Sequence, residues 1–184
     1  MNILFIADQK PKRSIKETIQ EYAIDIIVTL GDLDFFDIRD LQSIDTIPKI
    51  GVYGNHCSGN YFESVGIKNM HLETFEFQGV TFAGFQGSVR YKPNPYAIMY
   101  HQEEALALLD QIPKADILIS HAPPFGVHDE PDDVTHAGLK VLNEYLERHH
   151  PKYHFHGHTY TKIKETLVGT TKVVYIYADE VYSL

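Results

Sequence analysis

The stretch MNILFIADQKPKRSIKETIQEYAIDIIVTLGD, residues 1–32, reads as a strand, a helix and a strand, and it decides the fold class. Residues 2–7 are an apolar run of the length of a buried strand, ending at Asp8. Over residues 13–22 the apolar positions Ile15, Ile19 and Tyr22 follow helical spacing, and residues 25–30 give a second apolar run closed by Gly31-Asp32. This unit predicts an α/β architecture in which a polar residue stands at the carboxyl end of each strand.

Outward from this unit the pattern repeats once and then changes. A helix over residues 35–43 leads to a third run, 49–53, closed by Gly54-Asn55-His56. Residues 74–77 and 80–85, separated by a Gly79 turn, read as a hairpin because there is no room for a crossover helix. Residues 87–95 read as a loop, and 101–111 carry the helical cluster Ala105, Leu106, Leu108 and Leu109. Residues 116–119 form a strand that ends at Ser120-His121. A proline-rich acidic surface loop over 123–133 precedes an amphipathic helix over 137–150, and 152–182 read as strands broken at His156-Gly157-His158 and Gly169. No internal repeat, low-complexity tract or linker interrupts the chain, so a single domain over residues 1–184 is expected.

Composition bounds the function. With 184 residues, 43% hydrophobic and 22% charged, the chain is of a size and make-up to fold around a substantial core. The only cysteine, Cys57, cannot close an internal bridge, and the opening MNILFIADQK turns polar sooner than a signal peptide or a membrane span would; a cytoplasmic location away from the membrane is expected. Lys and Arg number 16 against 25 Asp and Glu, a formal charge of −9, which repels phosphate at long range and leaves no basic stripe for duplex nucleic acid. Phosphate chemistry would then need local positive charge, and the 11 histidines could recruit metal ions to supply it. Walker, dinucleotide-binding and G-x-S-x-G motifs are all missing from the sequence.

The strand-end steps carry Asp8, Asp32, Asn55-His56, His121 and His158, which converge if the strands lie in one sheet. Oxygen and imidazole donors of this kind suit Mn²⁺, Fe²⁺ or Zn²⁺. Any one step is ordinary turn chemistry; their order and spacing together carry the signal. The ordered set Asp8, Gly31-Asp32, Gly54-Asn55-His56, Ser120-His121-Ala122-Pro123-Pro124 and Gly157-His158 resembles the calcineurin-like metallophosphoesterases over nearly the whole chain. The resemblance implies a four-layer α/β/β/α sandwich, two central mixed β-sheets flanked by helices, with a two-metal centre at the strand ends. It implies hydrolysis of small phosphodiesters or phosphomonoesters by attack of metal-bound hydroxide.

Carried over by position, the family's second metal site falls on Asp32, Asn55, His121 and His158, all of the expected type. The first site keeps Asp8 and the shared Asp32, but Lys10 and Tyr160 stand where the family has histidines. One tightly bound divalent ion is therefore expected, Mn²⁺ first, with Fe, Zn, Ni or Co as alternatives. A charged lysine has no lone pair to give, so Lys10 is expected to fill the missing ion's place between Asp8 and Asp32 and to stabilise charge; the alternative is a loop lysine facing solvent. The resemblance makes His56 the general acid, followed here by Cys57 rather than the acidic residue common at that place. Tyr160 is expected to hydrogen-bond a phosphate oxygen or to pack as a buried aromatic.

Further histidines have two readings each. His154, His156 and His158 alternate, which fits a zinc site or a packed strand. His128, Asp129, Asp132, Asp133 and His136 form a substrate-selecting rim or a solvated loop, with His136 assigned to substrate binding from the start of the 137–150 helix. His149 and His150 are placed to compensate that helix's dipole. The expected partners are a small phosphorylated substrate and, as an alternative to a single chain, a second copy in a homo-oligomer; Tyr175, Tyr177 and Tyr182 read as an edge strand, a core element or a subunit contact. The rival reading is a binding or scaffold protein that kept the fold and lost the chemistry; the family includes a retromer subunit of that kind.

Overall fold

The computed structural model describes residues 1–130 and 132–184; Pro131, within the predicted 123–133 loop, lies outside them. In the first sheet β1 (Asn2–Ala7), β2 (Ile26–Thr29), β3 (Lys49–Gly51) and β4 (Lys68–Asn69) run in parallel. In the second, the hairpin of β5 (Thr74–Phe77) and β6 (Val80–Phe85) forms one edge. Beside the main sheets, β7 (Ser88–Val89) and β8 (Met99–Tyr100) make a short parallel pair, partly inside the stretch read as a loop. Next to β6 come β9 (Ile117–Ser120) and β10 (Tyr153–His156), then β12 (Thr171–Tyr175) with its antiparallel partner β11 (Glu165–Val168) at the other edge. The last strand, β13 (Ala178–Ser183), returns to the first sheet and pairs antiparallel along all of β1.

Four layers follow from the period-two alternation of these strands. Phe5, Val28 and Ile50 of the first sheet meet Phe82, Ile117, Phe155 and Val174 of the second, and the rings of Phe5 and Phe155 stack at 4.2 Å. On the outer face of the first sheet, Leu4, Ile6 and Ile27 pack under Ile15 of α1 (Ile15–Tyr22) and Ile38 of α2 (Phe35–Ile38). On the outer face of the second, Ala83, Leu118 and Val173 pack under Ala105 of α3 (Gln102–Leu106) and Val141, Leu142 and Tyr145 of α4 (Lys140–His149). Strands buried on both faces explain the unbroken apolar runs in the sequence. The expected sandwich of helices around two mixed sheets is the observed architecture.

The helices are shorter than their patterns. Asp34 caps α2, its side chain accepting the Phe36 and Asp37 N–H groups at 2.7 and 3.1 Å, and a 3₁₀ turn over Arg39–Ser43 takes the rest of the predicted 35–43 helix. The predicted 101–111 helix divides in the same way into α3 and a 3₁₀ turn over Leu109–Gln111. The predicted 137–150 helix begins only at Lys140, because Leu139 donates its N–H to the Pro123 carbonyl at 2.9 Å and is held extended against Pro124. No helix among the described residues is long and apolar enough to cross a membrane.

Candidate metal centre

The strand ends converge, but across both sheets rather than within one. β1, β2 and β3 deliver Asp8, Asp32 and Asn55 from the first sheet; β9 and β10 deliver His121 and His158 from the second. Where the layers meet, His121 donates Nδ1–H to the Leu30 carbonyl at 2.8 Å, and the His158 N–H reaches both carboxylate oxygens of Asp8. Asp8, Asp32 and His158 have φ of 62°, 50° and 72°, a region that side-chain-bearing residues adopt at a cost and that gathers at functional sites. Gly31, at φ 94°, allows the approach: a Cβ there would stand 2.4 Å from the Gly54 nitrogen and 2.8 Å from His121 Nδ1.

These contacts decide which atoms face inward. With Nδ1–H given to Leu30, the lone pair of His121 is on Nε2, which stands 3.0 Å from Asn55 Oδ1 and 3.4 Å from Asp32 Oδ2. His158 has the opposite tautomer, donating Nε2–H to the Thr135 carbonyl at 3.0 Å and leaving Nδ1 free. Ligand atoms of Asp32, His121 and His158 lie within 4.8 Å of one another. Acceptors turned on one another need a cation or a proton between them. The residues fit a divalent ion bound by nitrogen and oxygen, with each histidine oriented by a backbone carbonyl behind it.

The electrostatics of the ion-free chain agree. Burial alone would lower the His121 pKa, but the Asp32 and Asp8 carboxylates and the Leu30 carbonyl together outweigh it and raise it to about 9. Burial pushes Asp8 up to about 7, against the opposing charge of His121 and with help from Asp32. Asp32 is held well below the usual carboxylate range, the His121 charge and the His56 N–H overcoming its burial. His158 falls to about 3, chiefly through burial, and is therefore a neutral imidazole. Two clustered carboxylates draw in positive charge, which in the ion-free chain is a proton on His121.

The centre opens on a cleft of about 240 Å³ lined by Asp8, Asp32, Asn55, His56, Thr135, His136, His158 and Tyr160. His56 is exposed at its lip, its N–H donated to Asp32 Oδ1 at 2.8 Å. Cys57 lies buried beneath, accepting the Gly54 N–H at 3.2 Å and touching the Tyr61 hydroxyl at 3.3 Å, so the turn is braced where the family has an acidic residue. Tyr160 is 64% exposed, which removes the buried-aromatic alternative. His136 lines the cleft beside it, its ring 5.8 Å from that of Tyr160, but not from a helix N-terminus, since α4 starts four residues later.

Lys10 is the expectation that the structure overturns. It is exposed, forms no ion pair with Asp8 or Asp32 among the described residues, and lines a separate depression with Asp37 and Asp40. The cause is the left-handed turn at Asp8, tightened by the Gln9 N–H on the Ala7 carbonyl at 2.7 Å, which carries the next residues out of the cleft. The zinc reading of the alternating histidines fails as well. His154 and His156 are buried on the outer face of β10, bonded to Ser120 Oγ at 2.6 Å and to His128 at 2.9 Å, whereas His158 lies beyond the strand. Among the described residues they form no ligand group, and burial keeps all three of His128, His154 and His156 neutral. Sequence reasoning missed Tyr91, whose hydroxyl touches both Asn55 and His56, and Thr135, which acts through a carbonyl that no motif can display.

The profile of the metallophosphoesterase family of the calcineurin superfamily matches residues 59–176, more than half of the chain. No curated protein matches the sequence at a significant level. Among solved structures, TT1561 of Thermus thermophilus is 16% identical, with a TM-score of 0.61 over 96% of this chain and 89% of its own. GAP50 of Plasmodium is 14% identical, with a TM-score of 0.54 over 95% and 70%. A phosphatase of Mycoplasma pneumoniae is 12% identical, with a TM-score of 0.53 over 96% and 72%. At these identities the likeness is one of fold. The profile match and the donors gathered at the strand ends together make the chain a member of the calcineurin superfamily of metallophosphoesterases.

Proposed function

We propose that the chain is a metal-dependent phosphoesterase of small phosphodiesters or phosphomonoesters, holding one tight divalent ion, Mn²⁺ before Fe, Zn, Ni or Co. The donor set Asp32, Asn55, His121 and His158, turned inward by its own hydrogen bonds, carries this reading. A divalent ion bound there supplies an activated water and polarises a phosphoryl oxygen. Asp8 would offer one further carboxylate on the degenerate side. His56, at the lip, would give its proton to the departing oxygen, and Tyr160 and His136 would contact the ester. We take the chain as one domain acting in the cytoplasm, without membrane or duplex nucleic acid as partner.

The test is a manganese titration followed by native mass spectrometry, with Asp32→Ala as control, and then hydrolysis of p-nitrophenyl phosphate and bis(p-nitrophenyl) phosphate. About one ion per chain, lost in the variant, together with metal-dependent turnover supports the reading; no bound ion overturns it.

One observation favours a second reading, a binding or scaffold protein of low or no activity. Lys10 stands outside the cleft and Tyr160 offers no imidazole, so the first site has only Asp8 and Asp32. GAP50, of the same fold, is described as the anchor in the inner membrane complex of Plasmodium. Metal binding without turnover on either ester would favour this reading.

A further inference from the structure

We propose that Tyr91 is a positioning residue for this site, acting through Asn55 and His56; the inference rests on the phosphoesterase reading above. Its hydroxyl lies 3.4 Å from Asn55 Nδ2 and 3.4 Å from His56 Nε2, the long end of hydrogen-bond range, as is common before substrate closes a site. Asn55 donates its amide N–H to the phenol oxygen. That engagement turns Asn55 Oδ1 the other way, to within 3.0 Å of His121 Nε2, where an oxygen donor is needed. The same phenol is the side-chain hydrogen-bond partner of the exposed His56 imidazole among the described residues. One hydroxyl thus orients a metal donor and the proton donor beside it.

The small β7–β8 pair explains how the phenol is held. The Ser88 N–H reaches the Ile98 carbonyl at 3.2 Å and the Arg90 N–H the Tyr100 carbonyl at 2.8 Å, while the Gly87 N–H ties the segment to the Tyr53 carbonyl at 2.9 Å, next to the Gly54-Asn55-His56 turn. Arg90 adds a side-chain bond to the Met99 carbonyl at 2.8 Å. Outside both main sheets, this pair is anchored by its buried residues Ser88, Val89 and Met99. Its position makes it a bracket for Tyr91, two residues beyond β7.

The chemistry gives a specific signature. As water bonds to phosphorus, the P–O bond to the leaving group breaks and its electron pair goes to the leaving oxygen, which takes the His56 proton while a proton of the water is released to solvent; Tyr91 forms and breaks no covalent bond. A basic phenolate needs this proton, whereas p-nitrophenolate leaves well without it. The experiment compares Tyr91→Phe with the unaltered chain, manganese-loaded, on phenyl phosphate and p-nitrophenyl phosphate. The rate on the phenyl ester should fall at least about tenfold more than on the p-nitrophenyl ester, and Tyr91→Phe should add little to His56→Ala. Equal losses on the two esters with manganese affinity unaltered would overturn the proposal, since neither His56 nor Asn55 would then depend on Tyr91.

A second measurement needs no turnover. In the metal-free protein at fixed pH, ¹⁵N signals of the His56 imidazole should report one preferred tautomer and shift toward a mobile, averaged ring in Tyr91→Phe, with the near-ultraviolet spectrum of the fold retained. Identical His56 signals in both proteins overturn the proposal. Were the unaltered chain to hydrolyse neither ester, the phosphoesterase reading would fail while the imidazole signals still decided the contact.

Discussion

The His158 N–H bonds both carboxylate oxygens of Asp8, at 3.1 and 2.9 Å, across 150 residues of chain. It joins the end of β1 in the first sheet to the turn beyond β10 in the second, and both residues adopt left-handed backbone to make it. The centre is therefore a seam between two sheets, whose geometry depends on how closely the two turns approach.

Gly157 sets that approach. A Cβ there would stand 2.6 Å from Asp8 Oδ2 and 3.1 Å from the Ala7 Cβ, distances that require one turn to retreat. Gly157→Ala should lower stability by about 1–3 kcal/mol. Manganese affinity should weaken at least about tenfold, because His158 moves with the turn. Thermal unfolding and manganese titration read the two effects, and an unaltered affinity would show that the seam is not part of the centre.

Metal binding should release protons. In the ion-free chain His121 titrates at about 9, so its protonated form contributes stability that is full below its ordinary value of 6.5 and is lost as pH rises through 9. The ion needs the neutral Nε2, and Asp8, pushed to about 7, gives up part of a further proton at neutral pH. At pH 7 binding should release at least about one proton, and affinity should rise roughly tenfold per pH unit from there, flattening near the His121 value. Calorimetry in buffers of different ionisation enthalpy measures the release directly. Proton-independent binding would exclude His121 as a ligand.

The two replaced positions should behave differently. Lys10 is outside the cleft, so Lys10→Ala should leave manganese affinity within about twofold, as expected of an exposed side chain with no part in the centre. Tyr160 lines the cleft, so Tyr160→His should add a donor and permit a weak second ion beside Asp8. Native mass spectrometry at rising manganese distinguishes them. A second ion gained by Lys10→His rather than by Tyr160→His would mean that the Asp8 turn reaches inward in the metal-bound protein.

The parts of this site that are legible in the sequence are those fixed by strand ends. Asp8, Asp32, Asn55, His121 and His158 each follow an apolar run closely, so locating the strand locates the donor. The direction of Lys10 is hidden because it depends on the φ of Asp8, which a sequence motif does not display. His136 stands at a predicted helix end that Leu139 postpones by pairing with the chain near Pro124, a tertiary contact that overrides the helical pattern. Tyr91 is hidden because its partners are more than thirty residues away, on a platform of strands too short to show a period. Whether the strands form one sheet or two is not displayed by alternation, since the central strands of both sheets are buried on both faces.

The inter-sheet core and the donor set should contribute separately to stability. Phe155 stacks on Phe5 between the sheets, and Phe155→Ala should cost about 3–5 kcal/mol. Manganese at about a hundredfold over its dissociation constant should add about 2.7 kcal/mol to the unaltered chain and nothing to Asp32→Ala, which lacks the carboxylate facing His121. Because the cavity opens between the sheets and removes no donor, Phe155→Ala should keep that increment within about 0.5 kcal/mol. Denaturant unfolding with and without manganese tests this. An increment lost in Phe155→Ala would mean that the stacked rings hold the seam between Asp8 and His158 in register, making the core part of the metal centre.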